Sequence, residues 1–276
     1  MIAHIHLAHT ELKDFQGIIL GFYRKYARDL PWRKTRSPYN ILVSEVMLQQ
    51  TQAERVIPKY RAFIDRFPDS AALARARMQD ILKLWQGLGY NRRAVALKES
   101  ARQIVRRHAG SVPATYDELL ELPGVGPYTA AAVCVFAYNQ PRIFIETNIR
   151  TVYIHSFFAQ ADSVTDEQIL PYVAATLYRR SPRTWYNALM DYGVLLKKLY
   201  GNPGRKSAHY TRQSPFSGSN RQIRGLIIRV LIDEGPCSEA ELVARVGTQP
   251  GRARPILRQL QSEGLVRVVG TDFSLA

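Results

Sequence analysis

Two glutamates stand where a carboxylate is either costly to keep or well placed for chemistry. Residues 39–52, Tyr-Asn-Ile-Leu-Val-Ser-Glu-Val-Met-Leu-Gln-Gln-Thr-Gln, read as a helix, with Ser37-Pro38 supplying its N-cap and first-turn proline. Ile41 lies four positions before Glu45 and Leu48 three after, which puts the carboxylate on or beside the apolar stripe. Desolvation there raises its pKa and leaves an acid able to donate a proton near neutral pH. The plainer alternative is a helix glutamate paired with Arg55 or a neighbouring base. Glu146 closes the apolar run Arg142-Ile-Phe-Ile-Glu146 just before a helix start, where the dipole favours an anion, and Asn148 follows two residues on.

A second group of residues is suited to holding a polyanion. Thr115 and Glu118 form a capping box that starts a short helix carrying Leu119, Leu120 and Leu122 inward. Pro123-Gly124 stops it, Gly126 permits a tight bend, and Pro127 fits the first turn of the next helix. A hairpin of this kind presents backbone N–H groups at a helix N-terminus, which suits a phosphate; an ordinary helix turn is the other reading. Leu84-Trp-Gln-Gly-Leu-Gly-Tyr-Asn-Arg-Arg-Ala94 is a glycine-pinned loop with an aromatic tip. Tyr90 there can wedge into a base step while Arg92 and Arg93 hold phosphate, or its ring can simply cover core.

The elements that must position these groups are nearly all helical. Amphipathic or capped helical patterns cover residues 10–27, 39–52, 53–67, 78–85, a basic stretch ending at His108, 128–138, a capping-box helix opening at Thr165, and 185–199. After a polar linker, residues 221–233, a Ser238-capped helix and 251–263 give three more, and 266–269 with 272–275 give a two-stranded hairpin. Arg252, Arg254 and Arg258 on the last helix suit either a nucleic-acid groove or a protein-docking face.

The chain has 276 residues and a formal charge of +15, which argues for a polyanionic partner, although a ribosome-associated or membrane-surface protein shares that balance. Residues 221–276 hold 8 Lys and Arg against 6 Asp and Glu, so most of the charge belongs to the first domain. Cys134 and Cys237 are the only cysteines, which rules out a disulfide scaffold and any four-cysteine metal or iron–sulfur site. The start of the chain lacks the basic and apolar regions of a signal peptide, and no apolar run is long enough to span a bilayer. A cytoplasmic, nucleoid-associated protein with no membrane partner is expected.

Leu122-Pro-Gly-Val-Gly-Pro-Tyr-Thr-Ala130, Leu30-Pro-Trp-Arg33, Pro38-Tyr39 and Ser44-Glu-Val-Met-Leu-Gln-Gln-Thr-Gln52 together resemble the helix-hairpin-helix (HhH-GPD) DNA glycosylase superfamily, in its endonuclease III and adenine glycosylase branch. The resemblance implies an all-α, two-lobed fold, with Glu45 protonating the departing base. Gln49, Gln50 and Tyr90 match residues that enter the DNA stack, and Gly124, Val125, Gly126 and Thr129 match the hairpin grip on phosphate. It also allows a monovalent cation at the hairpin. Asn91 stands where the family usually has a second aromatic.

Glu146 matches the place of the family's catalytic Asp, one methylene longer, and Asn148 matches the Asn beyond it. An extra methylene shifts a carboxylate by about an ångström, enough to cost roughly 100-fold in rate. Tyr128 stands where lyase-type relatives carry a Schiff-base Lys, and a phenol cannot do that chemistry. The resemblance runs as far as Gly193. Relatives then place four cysteines around an iron–sulfur cluster, whereas residues 197–206 here contain none, so no cluster or other cofactor is implied and Lys197 and Lys198 are expected to reach phosphate.

The expected organisation is a glycosylase-like domain over 1–210, a linker over 211–220 and a winged-helix domain over 221–276. The expected activity is hydrolysis of an N-glycosidic bond to a flipped base, by a monomer on double-stranded DNA carrying a lesion or abasic site, with Glu45 and Glu146 converging on that nucleotide. Two alternatives stand beside it: cleavage of abasic DNA on the same fold, and lesion binding or regulation without catalysis.

Overall fold

The structure is a computed structural model that describes residues 7–212 and 215–276. The leaderless reading of residues 1–6 and the linker residues Gln213 and Ser214 lie outside the described residues. The chain forms two compact units from interleaved segments: the first from residues 1–38, 114–117 and 126–212, the second from 39–113, 118–125 and 213–276.

In the first unit, α1 (His9–Tyr26) precedes a short 3-10 turn at Pro31–Arg33. The unit continues with α8 (Pro127–Tyr138), α9 (Thr147–Phe157), α10 (Asp166–Thr176), α11 (Pro182–Leu199) and a second 3-10 segment at Pro203–Lys206. Phe15 of α1 sets its ring against Tyr153, Phe157 and Trp185, which closes a core that includes fully buried Ile19 and Tyr186. The capping box expected at Thr165 is present: its hydroxyl accepts from the Gln168 N–H and the Gln168 side chain reaches back.

Asp191 anchors α11. Arg33 grips its carboxylate bidentately at 2.7 and 2.9 Å, and Arg28 adds its backbone N–H at 3.0 Å and its Nε at 2.5 Å. Burial alone would push the Asp191 carboxyl up, but the Arg33 and Arg28 hydrogen bonds and charges outweigh it and hold the group below its usual range. Arg33 of the Leu30-Pro-Trp-Arg33 motif is thus a tie between the start of the chain and α11. Gly193, two residues further on, lets α11 press onto α9: an added Cβ would lie 2.4 Å from the Asn148 carbonyl oxygen.

The second unit begins with α2 (Pro38–Leu48), α3 (Ala53–Arg66), α4 (Ser70–Arg75), α5 (Met78–Trp85) and α6 (Arg92–His108), and it takes in most of α7 (Tyr116–Leu120). Its centre is aromatic, with Phe63 edge-on to Phe67 and Trp85. α4 went unanticipated; Asp69 caps it, accepting from the Ala72 N–H at 2.7 Å. α2 stops at Leu48 rather than running to Gln52, because Gln50 takes the left-handed conformation at φ 54°.

The same unit contains α12 (Asn220–Asp233), α13 (Glu239–Val246) and α14 (Pro250–Ser262), with strands β1 (Cys237–Ser238), β2 (Val266–Val269) and β3 (Asp272–Leu275). The hairpin expected from the sequence pairs antiparallel, with Val266 opposite Leu275, and β1 adds a third strand in the order β1-β3-β2. α12 packs against α5. Of the three arginines placed on the last helix, Arg254 is held by Glu239 at 2.6 Å and Arg252 by Gly218 and Asn220, whereas Arg258 is exposed.

Candidate active site

Glu45 sits in the middle of α2, only 5% exposed, within the buried run from Ile41 to Met47. The burial expected from its spacing is therefore real. Just beyond the helix end, Gln49 and Gln50 occupy the turn, and Arg93 of α6 organises it. Arg93 Nη1 donates to the carbonyl oxygens of Val46, Met47 and Gln49 at 2.8, 2.9 and 2.7 Å. Its Nη2 reaches Thr51 Oγ1 at 3.1 Å and the carbonyls of Leu88 and Gly89 at 3.3 and 3.0 Å. These carbonyls include ones that the helix end leaves without partners, and a cation there also meets the negative end of the dipole. Burial lowers the Arg93 pKa to about 10, so it stays charged at neutral pH. Instead of presenting its guanidinium to phosphate, Arg93 clasps the glutamine turn to the tyrosine loop.

Tyr90 tips that loop in a left-handed conformation, φ 48°, and is 36% exposed. Arg93 and Arg221 lie over its ring at 5.5 and 5.8 Å, and Arg221 donates to its hydroxyl at 3.1 Å. Arg92, most of it exposed, faces Glu263 of the C-terminal segment at 3.8 Å. Gln49, Gln50, Tyr90, Arg92, Arg221 and Arg224 all line one cavity of about 940 Å³ within this unit.

At the hairpin, the residue that needs glycine is Gly124, not Gly126. Gly124 has φ 76°, and an added Cβ would lie 2.7 Å from that of Ala96. Gly126 has φ −88° and ψ 179°, an extended backbone open to any residue, so the tight bend expected there lies two positions earlier. Gly126 instead N-caps α8 with open space beside its Cα, and Val125 is buried, donating its N–H to the Leu122 carbonyl at 3.1 Å. Thr129, expected on the phosphate side, is 2% exposed in α8.

The remaining predicted residues fall in the first unit. The Tyr186 hydroxyl donates to the Arg142 carbonyl at 2.8 Å and accepts from the Phe144 N–H at 3.3 Å, and its ring stacks on Phe144 at 4.0 Å. This pins the run that delivers Glu146. Tyr128 sets its ring edge-on to Phe144 at 5.5 Å. Glu146 itself N-caps α9: Oε1 accepts from the N–H groups of Asn148 and Ile149 at 2.8 and 2.9 Å, and Oε2 accepts from Asn148 Nδ2 at 3.2 Å. Burial pushes its carboxyl up, opposed by those two N–H groups and then by the Lys197 and Arg150 charges. Lys197 donates to Asn148 Oδ1 at 2.8 Å, so it is turned inward, whereas Lys198 is exposed. The inward lysine was missed from sequence; Gly193, a glycine inside a helix one turn before it, was the available signal.

The second unit thus holds a buried acid on α2, and the first holds a capped carboxylate with its amide at the start of α9. The family model described as "HhH-GPD superfamily base excision DNA repair protein" matches residues 43–171, from α2 into α10, and the chain belongs to that superfamily. Within it, the chain is 35% identical over 279 residues to the adenine DNA glycosylase of Mycolicibacterium smegmatis, covering 94% of both proteins. It is 38% identical over 158 residues to the human adenine DNA glycosylase, covering 54% of this chain and 29% of that one.

Among solved structures, a thermostable thymine-DNA glycosylase aligns with a TM-score of 0.63 at 28% identity, over 70% of this chain and 91% of that one. A non-covalent endonuclease III–DNA complex shares the fold, with a TM-score of 0.55 at 19% identity over 76% of this chain and 91% of that one. This protein is a DNA glycosylase of base excision repair, and its partner is DNA. Among the described residues, no helix is long and apolar enough to cross a membrane.

Proposed function

We propose that the protein removes adenine from a mispair in double-stranded DNA, with oxidised guanine opposite as the first substrate to try, and leaves an intact abasic site. The observation that carries this reading is Glu45, a carboxylate 5% exposed on α2, in a chain alike over 94% of its length to an adenine DNA glycosylase. A buried acid can protonate a purine nitrogen as the base departs. Glu146 stabilises the cationic sugar, and Asn148 orients it. Gln49, Gln50 and Tyr90 open the stack, and the backbone from Gly124 to Gly126 holds phosphate. Tyr128, in the position of the lyase lysine, forms no Schiff base, so the backbone stays whole until alkali is added.

The reading requires no iron–sulfur cluster. Such a cluster takes four cysteine thiolates, and the chain's two cysteines, both buried, lie one in each unit. The stretch after α11 is instead closed by protein bonds: the Val164 N–H donates to Lys206 O at 2.8 Å, and Gly204 sits against Thr151. Residues 221–276 are assigned as a winged helix that adds a basic wall beside Tyr90.

The test is a duplex with one adenine opposite oxidised guanine, incubated with purified protein and then treated with alkali. Alkali-dependent nicking is expected, and Glu45→Gln should abolish it. Nicking of abasic DNA without alkali, or tight binding without product, would overturn the assignment in favour of a lyase or an idle lesion binder.

A further inference from the structure

We infer that Lys197 is a positioning residue of the excision centre, fixing the Asn148 amide and keeping positive charge against Glu146 rather than holding DNA phosphate. The inference rests on the excision reading above and adds a residue to it. Lys197 Nζ donates to Asn148 Oδ1 at 2.8 Å, and Asn148 Nδ2 donates to Glu146 Oε2 at 3.2 Å. An ammonium has only donors and a carboxylate only acceptors, so an amide between them has one satisfying orientation. Flipping it would set donor against donor at Lys197 and acceptor against acceptor at Glu146. The lysine and the carboxylate together decide which way Asn148 points.

The electrostatics run the same way. Burial works against the charge at both ends of the chain of bonds, raising the Glu146 pKa and lowering that of Lys197, while each charge pulls the other back. The charged groups facing Glu146 are Lys197 from α11 and Arg150 from its own helix. Arg150 spends its fork on Asp166 of α10, at 2.7 Å through both Nε and Nη2. From the 3-10 segment, Lys206 is turned to the Ala159 carbonyl at 2.7 Å. Lys197 is thus the cation most directly engaged with the Asn148–Glu146 pair. It reaches them because Gly193, one turn earlier, lets α11 touch the Asn148 backbone.

The test compares Lys197→Met, Lys197→Gln and Lys197→Arg in the full chain, each first checked for a wild-type melt. One readout is the pH profile of single-turnover excision, on whichever base the unaltered protein removes. A second is DNA affinity, and a third is titration of the Glu146 carboxyl by carbon-13 NMR without DNA, assigned with Glu146→Gln. Losing a neighbouring opposite charge should move the acid limb and the Glu146 titration up by about one to three pH units. That is roughly a tenfold or greater rate loss at the acid end, with affinity changed less than about twofold and recovery in Lys197→Arg.

An unchanged acid limb with weakened binding would make Lys197 a phosphate contact and overturn the inference. So would a borohydride-trapped adduct with abasic DNA that disappears in Lys197→Met, because the lysine would then act as a neutral nucleophile. If the protein removes no adenine, the proposed substrate fails, while the NMR titration still decides the role of Lys197.

Discussion

Arg93→Met separates two roles an arginine can play on a basic DNA enzyme. In the structure, the guanidinium holds five backbone carbonyls and the Thr51 hydroxyl, joining the end of α2 to the loop of Tyr90. A hydrogen bond to a charged donor is worth about 1.5–3 kcal/mol, and the six are not additive, because water fills part of the space once the side chain goes. Leaving a buried acceptor unsatisfied costs about 1–3 kcal/mol, and with several carbonyls stranded and partly rehydrated we take about 3–5 kcal/mol as the expected loss. At roughly 2–4 °C per kcal/mol for a protein of this size, the melting temperature should fall by about 6–20 °C.

Activity should fall further than stability alone requires. The glutamine turn and the tyrosine loop lose their common tether, and misplacement by about an ångström costs roughly 100-fold in rate. Arg93→Lys should recover little, since an ammonium keeps the charge but not the fork that bridges two loops. The assays are thermal melts and single-turnover excision at saturating protein. The reasoning is refuted if Arg93→Met melts within about 1 kcal/mol of the unaltered protein while its DNA affinity drops and the salt slope falls by about one. That pattern belongs to a phosphate contact.

Two further predictions concern α11. Asp191→Asn removes the carboxylate that Arg33 and Arg28 share and should cost about 3–5 kcal/mol at neutral pH. Because the folded state holds this carboxyl below its usual range, the stabilisation is present above the unfolded pKa of about 4 and is lost as pH falls through the lower folded value; melts of the two proteins should converge in strong acid, and a pH-independent gap would refute the assignment. Gly193→Ala drives a methyl to within 2.4 Å of the Asn148 carbonyl oxygen, so α9 and α11 must separate, at a cost of about 1–3 kcal/mol or more, with excision reduced beyond the stability loss; an alanine variant with unchanged rate would show that Lys197 does not depend on this approach.

What could be read from sequence was what is encoded within a turn or two of chain. The Thr165 and Ser238 capping boxes, the proline opening α8, the burial of Glu45 and the helix start after Glu146 all rest on neighbours in sequence, and all appear in the structure. The hairpin bend is expected from sequence at Gly126 rather than Gly124 because glycine spacing does not reveal which residue must be left-handed; that residue is Gly124, at φ 76°, where Ala96 also leaves no room for a side chain. The C-terminal segment was legible as three helices and a hairpin, but its short β1 was not, since two residues leave no alternating pattern.

Cations were harder to place, for a physical reason. On a chain of net charge +15, Arg93 and Lys197 near DNA motifs read as phosphate contacts, yet both turn inward, as does Arg33, for which no such role was expected. What captures each is an acceptor that folding brings up: a buried aspartate 158 residues away, the open carbonyls of a helix end 44 to 47 residues away, and an asparagine 49 residues away. The longer acid at position 146 belongs to the same account. As the N-cap of α9 it commits one oxygen to its own helix and the other to Asn148, so its extra methylene is taken up by the cap. Burial raises the cost of its charge, and the helix N-terminus returns about 0.3–1 kcal/mol of that in an ordinary exposed setting. The lysine behind Asn148 adds a further, smaller offset after the Asn148 and Ile149 N–H groups, and burial still holds the carboxyl above its ordinary range, which makes Glu146, Asn148 and Lys197 one electrostatic unit, to be varied together when the chemistry of this site is tested.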